Sequence, residues 1–434
     1  MKLNYKRTLL LGFGFLASQL AWSLYNSFVP VMLEHRFALS TTLIGIIMTI
    51  DNMFGVIFQP LVGAYSDKTN TRFGRRMPWL MVGIPLSAIF FALIPRMFNF
   101  GLMITMLICF NLLMSLWRSP VIALMPDLTP APLRSKANGV INFMGGIGSI
   151  IAFGAGGYLS AHVDDTNGAS FLLGSGLMMF ALIMLLCFIR EPKSPLAPST
   201  DEVDDDNMLG VFKAILGQKN QHLDKSEKRS LWLILLAIFF WFCAYNCIET
   251  FFTLYAVNVL GVDKGRATMM LTAFSLSFVI FAIPAGLTAG KLGRKRTILI
   301  GLVIMIGLLT PMALINSWLP LLGGISPVVP AIILLAISGA GWAMVNINSL
   351  PMVVDMADNS SIGRFTGYYY FFSFTASIFS PILFGAIRDL TQNYSLLFVY
   401  AIICYALATI CILGVKNGHG EVSKTHSQSA VESA

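Results

Sequence analysis

The sequence predicts an all-α membrane protein of twelve transmembrane helices, arranged as two related six-helix halves with both termini in the cytoplasm. Three observations support this prediction. Hydrophobic residues make up 56% of the 434 residues and charged residues only 12%, about half the charged fraction of a soluble domain. Twelve apolar stretches are each long enough to cross a bilayer. Short motifs of glycine, acidic and basic residues recur at matching places in the first six and the last six stretches.

The apolar stretches define the spans. A helix needs about 20 apolar residues to cross the ~30 Å hydrocarbon core. By this criterion the predicted spans are 8–34, 41–65, 78–95, 100–126, 138–161, 170–190, 231–259, 267–290, 297–318, 328–354, 364–387 and 394–415. The first stretch is too long for the apolar core of a signal peptide. We therefore expect it to remain as the first helix.

The basic residues predict the orientation. With both termini inside, only five of the 29 Lys and Arg residues fall outside and one, Arg118, falls within a span. An excess of positive charge marks cytoplasmic loops. The basic residues also lie in short connectors rather than along an exposed basic face, so the net charge of +8 does not indicate nucleic-acid binding.

One long connector, residues 191–230, divides the spans into six and six. It carries an acidic run at 201–206 and a stretch at 208–216 that could form an interfacial helix. We expect an N-terminal half (1–190), a cytoplasmic linker (191–230), a C-terminal half (231–415) and a cytoplasmic tail (416–434). The six cysteines lie in apolar runs without disulfide or metal-ligand spacing, so no cofactor or metal is expected.

A glycine-rich basic loop occurs twice, at 63–78 and at 286–296, with Gly290 where the first copy has Asp67. An acidic residue followed by an arginine also occurs after both the fourth and the tenth span. Acids near helix ends can pair with guanidinium groups, so we expect a gate that moves, although a simple topological anchor would use the same basic residues. The predicted gating residues are Asp67, Arg72, Arg75, Arg76, Asp127, Arg134, Asp355 and Arg364.

Three charged residues fall inside spans: Asp51, Arg118 and Glu249. A charge at mid-bilayer costs about 2.5 to 3.5 kcal/mol on insertion scales, so such residues usually face the bundle interior and act in function. Arg118 could be a permanent partner of Asp51. Alternatively, Arg118 binds substrate oxygens while Asp51 or Glu249 takes up a proton, and these two are the predicted proton-coupling residues.

Polar stripes on several spans predict a binding cavity. Stripes that combine hydrogen-bonding groups with aromatic rings suit a sugar, whose hydroxyls need donors and acceptors while its C–H face packs on a ring. Such polar residues can also simply bond helix to helix. The predicted substrate-binding residues are Gln19, Trp22, Asn26, Asn111, Arg118, Asn142, Tyr245, Asn246 and Asn346.

Two blocks of sequence carry a resemblance to a known family. The segments 67–78 and 120–139, the second of which contains Asp127-Leu-Thr and Ala137-Asn-Gly139, resemble the plant sucrose–proton symporters and their bacterial relatives. These belong to the glycoside–pentoside–hexuronide:cation symporters of the major facilitator superfamily, and the chain looks most like the bacterial branch. The resemblance implies import of a disaccharide, sucrose or maltose or another α-glucoside, together with protons across the cell membrane.

The chain departs from the plant pattern at two positions. The sugar-binding arginine of the plant proteins falls on Ile122, and their proton-carrying aspartate falls on Asn111. Arg118, one helical turn from Ile122, could supply the guanidinium. Asp51 or Glu249 could supply the carboxylate.

Other functions remain open from the residues alone. A sodium-coupled symporter of the melibiose type would need several oxygen ligands clustered together. Asp51 and Asn52 alone would supply few of them. A sugar sensor with a transporter fold would be expected to carry a long tail. An enzyme is not expected, because the sequence shows no nucleophile–base pair, metal cluster or phosphate loop. We expect a monomer that works by alternating access.

Overall fold

The structure is a computed structural model that describes residues 3–130, 133–191, 225–318, 320, 326–357 and 362–415. The predicted interfacial helix at 208–216, most of the linker and the tail at 416–434 lie outside these residues. A few side chains within the ranges are also not described: those of Pro60, Ser135, Lys225, Ile362, Gly363 and Arg364.

Twelve helices in the described part are long and apolar enough to cross a membrane, which confirms the predicted number of spans. We number them α1 to α12. They are α1 (Tyr5–Phe37), α2 (Thr41–Lys68), α3 (Met77–Leu93), α4 (Phe100–Leu128), α5 (Arg134–Ile151, continued by Ala152–Gly156 and Gly157–His162), α6 (Gly168–Phe188), α7 (Lys225–Leu260), α8 (Lys264–Leu292), α9 (Arg294–Ala313), α10 (Val328–Val354), α11 (Ile362–Thr391) and α12 (Leu396–Gly414).

Three helices contain irregularities that the apolar pattern did not predict. Thr49 interrupts α2 between the segments Thr41–Met48 and Ile50–Lys68. One π-helical turn, Ala152–Gly156, lies within α5. The ninth span, expected to reach residue 318, ends at Ala313 and is followed by the short helix Ile315–Trp318. Hydrophobicity alone does not report such local changes of backbone hydrogen bonding.

By its internal contacts the chain forms two compact units. The first consists of the described residues within 1–204, 249–276 and 381–394. In it α1 packs against α5 and α6, and α3 packs against α4 and α6. A Cβ atom on Gly148 would overlap the carbonyl oxygen of Leu16, so the α1–α5 contact requires glycine there.

The second unit consists of the described residues within 205–248, 277–380 and 395–434. Here α9 packs against α10 and α12. In the first unit α3 packs in the same way against α4 and α6, and each of these helices comes six positions earlier in the chain. Gly301 of α9 and Gly341 of α10 allow these two helices to touch. The matching contacts agree with two related six-helix halves, whereas the predicted boundaries of the four segments stay a prediction.

Candidate functional site

The three predicted intramembrane charges interact with one another in the first unit. Asp51 lies on α2, Arg118 on α4 and Glu249 on α7, and each side chain is half-buried. Arg118 attracts both carboxylates, and the two carboxylates repel each other. The three charges are therefore close enough to act together, while their roles in transport stay predictions. The cluster contains one positive and two potentially negative groups.

Asn26 extends this cluster to α1. Its side chain shares a hydrogen bond with the carboxylate of Glu249. Because a carboxylate accepts and an amide nitrogen donates, this contact orients the Glu249 side chain while leaving other acceptor positions for a further partner. Asn26 is one of the predicted binding residues.

Tyr25 and Asn111 form a second polar pair beside the cluster. The Nδ2 atom of Asn111 donates to the Tyr25 hydroxyl at 3.1 Å, and Tyr25 interacts electrostatically with Asp51. Asn111 is 1% exposed, and its Oδ1 atom has no hydrogen-bond partner in the described structure. Tyr25 was not among the predicted site residues, although the repeated Tyr-Asn pairs of the first and seventh spans were a signal for it.

Trp22 forms an aromatic wall of the same cluster. The guanidinium carbon of Arg118 lies 5.9 Å from the centre of its ring, within range of a cation–π contact. The ring also packs edge-on against Tyr25 and Phe110, at 5.6 and 5.8 Å between centroids. Its buried Nε1 donor lacks an acceptor among the residues that the structure describes. Trp22 thus contacts both the charged group of Arg118 and the aromatic rings beside it.

Two other predicted residues of the first unit make different contacts. Gln19 is exposed on α1 and lies beside Gly145 of α5. Asn142 is also exposed, and its Nδ2 atom donates to the Asn138 carbonyl of its own helix at 2.8 Å. For Asn142 the visible contact is therefore structural, and the binding roles of both residues stay predictions.

The predicted residues of the second unit have partners of their own. The ring of Tyr245 stacks on Trp342 with 4.4 Å between centroids and 7° between planes. Asn246 donates from Nδ2 to the Phe242 carbonyl at 2.7 Å, and the carbonyl of Asn346 accepts from the Ser349 hydroxyl at 2.7 Å. Tyr245 and Trp342 provide an aromatic surface, while binding by the two asparagines stays a prediction.

The first glycine-rich basic loop forms a compact ionic cluster with the end of α4. Asp127 accepts from Arg75 Nη2 at 2.5 Å and from Arg76 Nε at 3.1 Å. Asp67 accepts from Arg76, and its Oδ1 atom lies 3.6 Å from Arg75 Nη1. Asp127 and Arg76 are buried. Asp127 thus pairs with loop arginines, and the gating role of this pairing stays a prediction.

Glu191 completes this cluster and was missed from the sequence. Its carboxylate accepts backbone N–H groups at the start of α3, from Arg75 at 2.7 Å, Arg76 at 2.9 Å and Met77 at 2.6 Å. An anion is stabilised at a helix N-terminus. Gly74 has φ of +108°, and a Cβ atom there would overlap Glu191, so the loop requires glycine at this position. Glu191 directly follows the predicted sixth span. A charged residue is common at the end of a span, so its position did not indicate this role.

Two further predicted gating residues make different contacts. Arg72 is exposed and lies over the ring of Phe73 at 4.7 Å. Arg134 donates to the carbonyls of Thr129 at 3.3 Å and Pro126 at 3.4 Å, which places its positive charge at the C-terminus of α4. Arg134 thereby holds the end of the helix that carries Asp127.

The second basic loop repeats the acid–arginine contact in the second unit. Arg294 donates from Nε to Asp355 Oδ2 at 2.6 Å and from Nη2 to Oδ1 at 3.1 Å. Burial raises the pKa of Asp355, against the opposing effect of Arg294. Asp355 thus also pairs with a loop arginine, and its part in a gate stays a prediction. The side chain of Arg364 lies outside the described part of the structure.

The chain is similar in sequence to several known proteins. The chain is 24% identical over 405 residues to the tetracycline resistance protein, class H, of Pasteurella multocida, with 89% of each chain covered. It is 23% identical to the isoprimeverose transporter of Lactiplantibacillus pentosus, over 67% of this chain and 60% of that protein. It is 25% identical to the lactose permease of Citrobacter freundii, over 65% of this chain and 66% of that one.

The fold is also found in a solved structure. The nucleoside transporter NupG superposes with a TM-score of 0.68 at 14% identity, over 96% of this chain and all of that chain. The family model described as Major Facilitator Superfamily matches residues 11–381 and 260–431. Twelve apolar helices lie among the described residues, and the chain is therefore a multi-pass transporter of the cell membrane rather than an enzyme; it belongs to the Major Facilitator Superfamily.

Proposed function

We propose that this protein imports a disaccharide, maltose or another α-glucoside or sucrose, together with protons by alternating access. The observation that carries the proposal is the cluster of Asp51, Arg118 and Glu249, with Asn26 and Trp22 at its edge. Both termini are cytoplasmic in this proposal, and the protein acts as a monomer.

The groups around the cluster suit a sugar. Arg118 and the Nε1 atom of Trp22 are donors, and the Oδ1 atom of Asn111 is an acceptor. A buried polar group without a partner is costly, so the latter two atoms favour a ligand that brings hydroxyl groups. The Trp22 ring, with its polar edge, suits the mixed polar and apolar surface of a sugar ring.

The charges of the cluster suit proton coupling. With both carboxylates ionised, the cluster carries a net charge of about −1, and one bound proton makes it neutral. Binding of that proton relieves the repulsion between Asp51 and Glu249. Since an uncompensated charge is unfavourable inside a membrane, the protonated cluster favours the closed, loaded state. This couples proton uptake to movement of the sugar.

The names of two relatives support the substrate class. The isoprimeverose transporter and the lactose permease are named for disaccharides. The Asp127 and Asp355 clusters with their loop arginines would then lock and release the cytoplasmic side during the cycle. In this role, the ionic contacts form in one state and separate in the other.

A second candidate is proton-driven export of a drug-like compound. The tetracycline resistance relative favours it, because that match covers 89% of both chains. The buried polar atoms of Trp22 and Asn111 favour the sugar instead. Sodium-coupled symport and sugar sensing are two further hypotheses, and transport assays separate both of them from proton-coupled import.

Uptake of a panel of labelled disaccharides by proteoliposomes tests the proposal. We expect accumulation of at least one disaccharide under an inward proton gradient, and loss of accumulation when the gradient is collapsed. Stimulation by sodium at fixed pH would indicate sodium coupling instead. Absence of counterflow for the whole panel, with tetracycline transported, would contradict the sugar proposal.

A further inference from the structure

A cavity in the first unit lies between the start of α1 and the connection from α4 to α5. Its volume is about 280 Å³, close to the lower end of the roughly 300–1,000 Å³ that is typical of ligand sites. One wall is formed by the beginning of α1, and the other by the end of α4 and by Leu133, which directly precedes α5. None of the predicted substrate-binding, proton-coupling or gating residues lines this cavity, which we call the α1–α4 cavity.

Two arginines place positive charge at this cavity. Arg7 lines it, is half-buried and donates from Nη2 to the Arg190 carbonyl at 3.0 Å. Among the described residues, this is the one hydrogen bond from a guanidinium that carries five N–H donors, and no carboxylate pairs with it. Arg134 donates to the carbonyl of Thr129, a lining residue, at 3.3 Å. Arg7 thus retains donors for an anion.

The acidic residues beside the cavity are engaged by other groups. Asp127 directly precedes Leu128 of the lining, and it pairs with two arginines of the first basic loop. Glu191 directly follows Arg190, and its carboxylate accepts backbone N–H groups at the start of α3. Neither carboxylate is therefore available to balance the charge of Arg7.

Apolar residues form most of the lining beside Arg7. They come from both walls and are Leu3, Leu11, Leu128, Pro130 and Leu133. A small inorganic anion would gain nothing from these residues, whereas an amphiphile would bury apolar groups against them. The lining therefore favours an anion that carries a hydrocarbon part.

The cavity lies at the depth where lipid headgroups are expected. Arg7 stands at the boundary between the basic N-terminal residues and the first predicted span, which begins at Thr8. Tyr5, at the start of α1, is 59% exposed, and exposed tyrosines are typical of the interface between hydrocarbon and water. In the proposed orientation this end faces the cytoplasm, where basic pockets between helices suit anionic lipid headgroups.

We propose that the α1–α4 cavity binds the headgroup of an anionic phospholipid. The Arg7 guanidinium donates to the phosphate oxygens, for which its planar set of donors is suited. The leucines contact the glycerol and the first methylene groups of the acyl chains. An anionic lipid fits better than a zwitterionic one, because a cation on the headgroup would be repelled by Arg7 and Arg134. The bound lipid ties the start of α1 to the end of α4.

Lipid binding to the purified chain in detergent tests this proposal. Native mass spectrometry measures the affinities for phosphatidylglycerol and for phosphatidylcholine with the same acyl chains. We expect phosphatidylglycerol to bind more tightly to the parent protein, and Arg7→Gln to weaken its binding about tenfold through loss of the charge-assisted bonds. Binding of phosphatidylcholine should change little. Equal affinities of the parent protein for the two lipids would overturn the proposal.

Lys6→Gln is the matched control. Lys6 adjoins Arg7 and carries the same charge, but it is exposed and does not line the cavity. We expect the affinity of this variant for phosphatidylglycerol to stay within about twofold of the parent value, since exposed charges contribute little. An equal loss in Lys6→Gln and Arg7→Gln would show attraction by general surface charge, and would overturn a site in the cavity.

Two further measurements test the apolar wall. Leu3→Gln changes this wall at a half-buried position before α1, and should weaken phosphatidylglycerol binding about fivefold, even if Arg7→Gln does not fold. Glycerol 3-phosphate, a phosphate without acyl chains, should displace the lipid only at a large excess. Displacement at equal concentration would assign the site to a free phosphate and overturn the lipid.

Parent-like affinity for phosphatidylglycerol in both Arg7→Gln and Leu3→Gln would also overturn the proposal. These measurements use no sugar and do not depend on the proposed function. Failure of disaccharide uptake would therefore leave the lipid site standing, and failure of lipid binding would leave the sugar proposal standing.

Discussion

The side chain of Asn26 on α1 shares a hydrogen bond with the carboxylate of Glu249 on α7. The same carboxylate interacts with Arg118 of α4. Glu249 is thus held by one neutral amide and one cation, and it repels Asp51. This relationship makes Glu249 the residue from which the coupling proposal can be tested most directly.

Replacement of Glu249 by Gln should uncouple the transporter. The amide cannot exchange a proton, but it keeps the size of the side chain and an oxygen that accepts from Asn26. We expect pH-driven accumulation of sugar to disappear, while exchange of preloaded sugar continues near the parent rate. Both are measured in proteoliposomes, with Asp165→Asn as a charge-matched control. Normal uphill uptake by Glu249→Gln would remove Glu249 from the mechanism.

Arg118 should contribute both charge and shape to sugar binding. Arg118→Lys keeps the charge but loses the planar group that lies over Trp22, and we expect sugar affinity to fall roughly tenfold, or about 1.4 kcal/mol. Arg118→Met leaves two carboxylates without their cation, and should abolish binding at neutral pH. Sugar titrations of tryptophan fluorescence check both. Equal affinities in the parent, Lys and Met proteins would exclude Arg118 from the site.

The two acid–arginine clusters should differ in their effect on stability. Asp127 is buried and pairs with Arg75 and Arg76, so Asp127→Asn leaves the buried Arg76 and the half-buried Arg75 less well paired, at a cost of about 3 kcal/mol. Asp355 and Arg294 are half-exposed, so Asp355→Asn should cost less than about 1 kcal/mol. Thermal unfolding in detergent compares the two variants. A larger loss for Asp355→Asn would contradict this ranking.

Asp164 provides a test that depends on pH. The Thr166 hydroxyl and the backbone N–H groups of Thr166 and Ala169 donate to its carboxylate, and these bonds, led by Thr166, lower its pKa. A lowered native pKa stabilises the fold above the ordinary pKa of about 3.9, and this stabilisation is lost as the pH falls through the native value.

The matched variants are Asp164→Ala and its exposed neighbour Asp165→Ala. At pH 7 we expect Asp164→Ala to cost about 1 kcal/mol, and its difference from the parent to shrink below pH 4. Asp165→Ala should show little difference at either pH. Unfolding temperatures across this pH range provide the measurement. A pH-independent loss in Asp164→Ala would indicate that packing, rather than the ionised carboxylate, is responsible.

The charged centre could be predicted because the bilayer makes charges informative. Asp51, Arg118 and Glu249 stand in apolar runs, where a charge is costly unless it faces other polar groups. Their three helices are distant in sequence, but each charge needs polar neighbours inside the bilayer. The three side chains therefore lie near one another. The repeated basic loops made the pairing of Asp127 and Asp355 predictable in the same way.

The contacts of Asp389 and Glu191 could not be predicted from the sequence. Asp389 and Glu191 lie near helix ends, where acidic residues are common and not costly. Their partners are backbone N–H groups of distant segments, and such groups carry no sequence signal. Likewise, polar residues have the same spacing along a helix whether they bind a substrate or bond to their own helix. The spacing therefore could not show that Asn142 and Asn246 donate to carbonyls of their own helices.

Accumulation of labelled disaccharide in proteoliposomes under an imposed inward proton gradient tests the central claim most directly. We predict that at least one disaccharide is concentrated above its external level without sodium, and that a protonophore abolishes this accumulation. Accumulation that requires sodium, or binding without any movement of sugar down or against a gradient, would contradict proton-coupled import.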